Sequence, residues 1–171
     1  AALERLRQAE KQLRGAQSDR AKRDIKDAQR RAAELAQAER EITAGVRSMG
    51  EKTGSDRRQA LGELGDRKET LAADVIELER DLDRSAGDSA RNEKEAARRM
   101  AEAAGAIRDS RLRDKVRYSQ QMLGRVSRET MEAVERDIAD GIDTLRKKLD
   151  QAAAALGQSA PENRKDEVLD R

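Results

Sequence analysis

The sequence predicts an all-α fold, an extended antiparallel helical bundle or coiled coil of about four helices. Three observations predict it. Apolar residues recur at alternating three- and four-residue steps along most of the 171 residues, which is the seam of helices packed side by side. The one proline, Pro161, leaves everything upstream uninterrupted. The composition is dominated by 29 Ala, 27 Arg and 15 Leu, all strong helix formers, with almost no β-branched runs to build a sheet.

The first helix is expected over about residues 2–49. Ile25, Ala28, Ala32, Leu35, Glu39, Ile42, Val46 and Met49 hold a strict heptad spacing. Upstream, Leu6, Ala9, Leu13 and Ala16 keep the same spacing in another phase, so the seam must slip near Arg20. Gly50 and Gly54 bracket Glu51, Lys52 and Thr53 as a helix stop and turn. The second helix is expected over about 56–86, because Asp56 with Gln59 has the form of a capping box and Gly87 could serve as a left-handed C-cap. Its seam is Leu61, Leu64, Lys68, Leu71, Val75, Leu78 and Leu82.

A third helix is expected over about 89–123. It shows Ala96, Met100, Ala103 and Ile107, then changes phase to Leu112, Val116, Ser119, Leu123 and Val126. Gly124 and Ser127 read as its stop and the next N-cap. The fourth helix, about 127–156, runs Met131, Val134, Ile138, Ile142, Leu145, Leu149, Ala152 and Leu156 with one extra four-residue step, and is expected to stop at Gly157. Residues 158–171 are polar and read as a tail or linker. The four helical stretches carry net charges of +4, −4, +5 and −3, so each is followed by one of opposite sign. Short loops make sequential helices antiparallel neighbours, and opposite charge favours that pairing.

Composition excludes much chemistry. With no His and no Cys, the chain lacks the parts of a Ser-His-Asp or Cys-His nucleophile and of a zinc site with the usual nitrogen and sulfur ligands. No cofactor, metal site or catalytic residue is expected, and no spacing suggests that the carboxylates, lysines and hydroxyls converge. Asp137, Asp140 and Asp143 fall along a slanting exposed row rather than a cage. No stretch approaches the roughly 20 apolar residues of a membrane span. There is no apolar leader and no initiating Met near Ala1, so a processed protein or a piece of a longer one is expected.

What remains is a non-enzymatic structural or assembly protein that binds a protein partner or a second copy of itself through its seams. Leu35, Ile42, Val46, Leu71, Val75, Leu78, Ile138, Leu145 and Leu149 are the candidate partner-binding positions, some facing inward and some outward. The alternative is binding of a polyanion, nucleic acid or anionic lipid, through Arg108, Arg111, Arg113, Lys115 and Arg117 of the third helix. Nucleic acid is the less favoured partner, because Asp109 and Asp114 interrupt the cluster and base-stacking aromatics are missing. Tyr118 reads as a filler at the bundle surface. Ala97, Ala101 and Gly105 place small residues on one face, either for a partner helix or for close approach within the chain.

The stretch IRDSRLRDKVRYSQQMLGR, residues 107–125, with EKEAARRMAEAAGAI before it and the helix to Leu156 after it, resembles helical coiled-coil regions of large uncharacterised bacterial cell-envelope proteins that carry N-terminal transmembrane helices. The resemblance implies an envelope-associated, non-enzymatic protein, part of a larger membrane-associated assembly. It implies no catalytic residue.

Overall fold

Seam formation decides the architecture. In the computed structural model, which describes the backbone of residues 1–168 and the side chains of residues 1–157, the apolar seams close on one another as an all-α bundle without strands among the described residues. Helix α1 spans Ala2–Ser48, followed by a 3₁₀ turn at Met49–Glu51; α2 spans Gly54–Ser89, α3 Lys94–Asp109, α4 Leu112–Met122 and α5 Arg128–Val168.

Helices α3 and α4 together form one arm of a four-cornered bundle. Helix α1 packs on α2 and α5, and the α3–α4 arm packs on the same two, so α1 and the arm sit at opposite corners, as do α2 and α5. Cross-helix pairs fix the directions. Arg20 meets Asp88, Arg31 meets Asp81 and Arg67 meets Glu41, so α2 runs antiparallel to α1. Gln29 donates to Asp150, while Gly50 lies beside Arg128, so α5 is antiparallel to α1 as well. The alternating charges therefore sit around the square with unlike signs on every edge. Apart from Arg31–Asp81, which is partly buried, these pairs are exposed, individually worth a few tenths of a kcal/mol, and select neighbours more than they stabilise them.

The third helix expected over 89–123 is two helices. Ile107 and Leu112 are five residues apart, which on a continuous helix would turn Leu112 about 140° away from the core. A break at Ser110 and Arg111 removes the conflict: Arg111 takes a left-handed conformation with φ 50°, and both Ile107 and Leu112 are buried. Gly141 of α5 makes room for the break, since a Cβ there would stand 3.2 Å from Leu112 Cδ1 and 3.5 Å from Ser110 Oγ.

Other boundaries also differ from expectation. Helix α2 starts at Gly54, itself left-handed at φ 56°, rather than at Asp56. It runs through Gly87 to Ser89, so Gly87 caps nothing. Helix α3 begins at Lys94, later than expected. At the next junction Gly124 is left-handed at φ 72°, and the Ser127 hydroxyl accepts from the Thr130 amide at 3.2 Å as the N-cap of α5. Helix α5 continues past Gly157 and Pro161 to Val168, so most of the stretch read as a polar tail is helical; its last three residues lie outside the described ones.

Candidate functional site

One layer of the core is polar. Heptad spacing points Glu39 of α1, Lys68 of α2, Ser119 of α4 and Glu135 of α5 into the interior, each no more than 1% exposed. All four corners of the bundle thus contribute a polar side chain at the same level. The Lys68 ammonium donates to Ser119 Oγ at 2.7 Å and to Glu135 Oε1. The Thr43 hydroxyl, one turn along α1, donates to Glu39 Oε1 at 3.1 Å.

Two carboxylates and one ammonium would leave a net negative charge in the core. Burial, reinforced by the neighbouring Glu135, pushes the Glu39 carboxyl up to about 9, with Lys68 and Thr43 opposing the shift. At neutral pH Glu39 is therefore protonated, which relieves the layer of its excess negative charge. The outer oxygens Glu39 Oε2 and Glu135 Oε2 are the two buried side-chain atoms without a partner among the described residues. A proton on Glu39 gives that carboxyl a hydrogen to donate toward the neighbouring Glu135.

Spacing alone gave no sign that lysine, serine and carboxylates come together; the bundle does bring them together. The constellation has the parts of a lysine-activated hydroxyl, but Ser119 is fully buried and offers no surface to a substrate. What it can do in the closed bundle is fix register. A one-residue slip of α2 or α5 would break the Lys68–Glu135 pair and strand a charge in an apolar layer, which costs several kcal/mol.

Glu135 was the residue missed in the seam of α5. Replacing Val134 by Glu135 turns the irregular series into unbroken heptads from Met131 to Leu156; Glu135 is buried, and Val134 is only partly so. The signal was the spacing itself, which an apolar-only reading discards.

The nine candidate partner positions, Leu35, Ile42, Val46, Leu71, Val75, Leu78, Ile138, Leu145 and Leu149, are all buried in the one core. None faces outward, so none presents a surface to a partner in the folded chain. The arginine cluster is dispersed. Arg108 reaches across to Glu79 at 3.0 Å and Asp83 at 2.8 Å, Lys115 pairs with Asp137 at 3.0 Å, and Arg113 lies 3.5 Å from Asp114. Arg111 is at the helix break and Arg117 is exposed on α4. Three of the five cations expected to hold a polyanion are already paired with carboxylates of the chain. Of the small-residue face, Ala97 is buried and Ala101 is exposed. Asp137 and Asp143 pair with lysines, and no metal-holding cluster occurs among the described residues. Tyr118 is half-exposed, at the bundle surface as expected.

The exposed apolar surface lies elsewhere. Residues 1–20 contain no buried side chain, and the core begins at Ala21. Leu3, Leu6 and Leu13 on this stretch are 69%, 62% and 60% exposed, whereas every other leucine among the described residues is buried or partly buried. The stretch lies past the end of α2, whose last residue, Ser89, is level with Arg20, and the slip expected there turns Leu6 and Leu13 roughly 50–70° away from the axis of the core stripe. Arg20 marks the junction, tied to Asp88 of α2 at 2.9 Å. None of the described helices is long and apolar enough to cross a membrane.

No protein family, curated protein or solved structure matches the chain.

Proposed function

We propose that the protein is a non-enzymatic structural element that assembles with another helix through the N-terminal arm of α1, residues 2–20. The observation that carries this is the set of three exposed leucines, Leu3, Leu6 and Leu13, on a helix whose other large apolar residues, Ile25, Leu35, Ile42 and Val46, are buried in its own core. A helix in water gains by covering such a stripe, at about 25 cal/mol per Å² of apolar surface removed from solvent. The seams retain an assembly role, but an internal one: they build the rod that holds the arm out. The resemblance of the second half to helical regions of cell-envelope proteins supports placing such a rod in a larger envelope-associated assembly.

Photo-crosslinking in the producing cells tests the reading. A photoreactive residue in place of Leu13 should give a discrete adduct, and the same residue in place of Glu129, on the exposed start of α5, should give none. The absence of an adduct from both Leu13 and Leu6 overturns the assembly role of the arm.

A further inference from the structure

We infer that the occupant of the arm is the arm of a second copy of this chain, lying antiparallel to it; this rests on the assembly role proposed above. In heptad terms Leu6 and Leu13 stand at a positions and Ala2, Ala9 and Ala16 at d. Two such helices laid antiparallel place every a position opposite a d position. With residue numbers of opposed positions summing to about 22, Leu6 of one copy faces Ala16 of the other and Leu13 faces Ala9. Each layer then pairs a large side chain with a small one, and the four layers repeat by two-fold symmetry, as an isologous interface requires.

The g positions favour that register: Arg5 falls beside Asp19 of the second copy, and Asp19 beside Arg5 of the second copy, giving two opposite-charge pairs at the ends of the overlap against one like-charge contact, Glu10 with Glu10 at the two-fold axis. Arg5 and Asp19 are both exposed. The next a position is Arg20, which is tied to Asp88 of its own α2 and ends the stripe.

The body of the molecule decides orientation. In the antiparallel register, residue 1 is level with Ala21 of the second copy, where that copy's buried core begins, so the two cores lie at opposite ends of the shared segment. A parallel pair would hold the two α1 axes 8–10 Å apart at Ala21, about the spacing of adjacent helices within one body, and the bodies would collide.

Charge exchange tests the pairing on the whole chain, by sedimentation over a concentration series. The wild type is expected to dimerise. Arg5→Glu sets Glu against Asp19 twice, and Asp19→Arg sets Arg against Arg5 twice; each should weaken dimerisation about tenfold. An equimolar mixture of the two variants restores both opposite-charge pairs in a heterodimer and should associate about as well as the wild type. A parallel pair predicts otherwise for Asp19→Arg, because residue 19 would then face Asp24 of the second copy and the change would strengthen association. A variant Asp19→Arg that dimerises as tightly as the wild type, or a mixture no tighter than its components, overturns the inference. Circular dichroism should be unchanged in both variants, since neither residue touches the body.

A wild type that stays monomeric at about 100 µM also overturns it. The crosslinking outcome then separates the two readings. An adduct with a different protein leaves the arm's assembly role standing without self-association, and no adduct at all removes both.

Discussion

Lys68 and Glu135 meet in the centre of the bundle from opposite corners, one from α2 and one from α5, with Ser119 as a second acceptor for the same ammonium. Both side chains are sealed from water. Removing one partner from such a pair strands the other as an uncompensated buried charge, whereas removing both with apolar groups of similar size does not. Lys68→Met should therefore destabilise the chain by about 3–5 kcal/mol, and Lys68→Met with Glu135→Leu should recover most of the loss. Urea unfolding measured by circular dichroism checks this. A loss below about 1 kcal/mol in the single variant would show that the layer is not sealed.

Glu39 makes the same layer sensitive to pH. Its carboxyl is raised from 4.5 to about 9, chiefly by burial. Between those values the folded chain holds a proton that the unfolded chain has released, so folding stability falls as pH rises. The contribution is complete below about pH 4.5 and lost once pH passes 9, at roughly 1 kcal/mol per pH unit for a whole proton. Glu39→Gln keeps the shape and removes the titration. The difference in stability between wild type and Glu39→Gln should shift against the wild type from pH 6 to pH 9. A constant difference over that range would contradict a protonated Glu39.

How much of this was legible in the sequence depends on which force set each feature. The seam of α1 from Ile25 and that of α2 from Leu64 could be read residue by residue, including the polar Glu39 and Lys68, because heptad spacing and burial are the same fact seen twice; at the start of α2 it is Ala60, not the expected Leu61, that is buried. The arm's separate phase was legible too, since Leu6 and Leu13 are out of step with Ile25. The polar layer was not. Which residues of four helices share a level depends on loop lengths and relative shifts, and the loop between α4 and α5 was read correctly while the break inside the third helix was not. That break needed one left-handed arginine, and arginine carries no local signal for that conformation. The nine partner positions were misplaced for a simpler reason: a seam looks the same in sequence whether it faces its own bundle or another chain.

The break between α3 and α4 has a testable counterpart in α5. Arg111 holds φ 50°, a conformation that costs a non-glycine residue about 1 kcal/mol and costs glycine nothing. Arg111→Gly should therefore stabilise the chain slightly or leave it unchanged, although glycine is ordinarily a poor choice beside a helix. Gly141 should behave in the opposite sense. A Cβ there meets Leu112 Cδ1 at 3.2 Å and Ser110 at 3.5 Å, and a branched side chain has nowhere to go. Gly141→Val should cost about 1–3 kcal/mol, read as a fall in melting temperature. An unchanged melting temperature would mean that α5 does not press on the break.

Body and arm should respond in opposite ways to the same substitution. Leu145 is fully buried in the core, so Leu145→Asp places an unpaired charge in a sealed apolar layer and should unfold the chain, abolishing helicity and association together. Leu78→Asp on α2 is expected to do the same. Leu6 and Leu13 are more than half exposed, so Leu6→Asp with Leu13→Asp should leave helical content and urea midpoint within about 0.5 kcal/mol of wild type while removing association. Sedimentation and circular dichroism on the same samples separate the two. If the arm variant unfolds along with the body variants, the arm is part of the core rather than a surface held out for assembly. If the arm variant associates as the wild type does, the exposed leucines are not what joins one helix to the next.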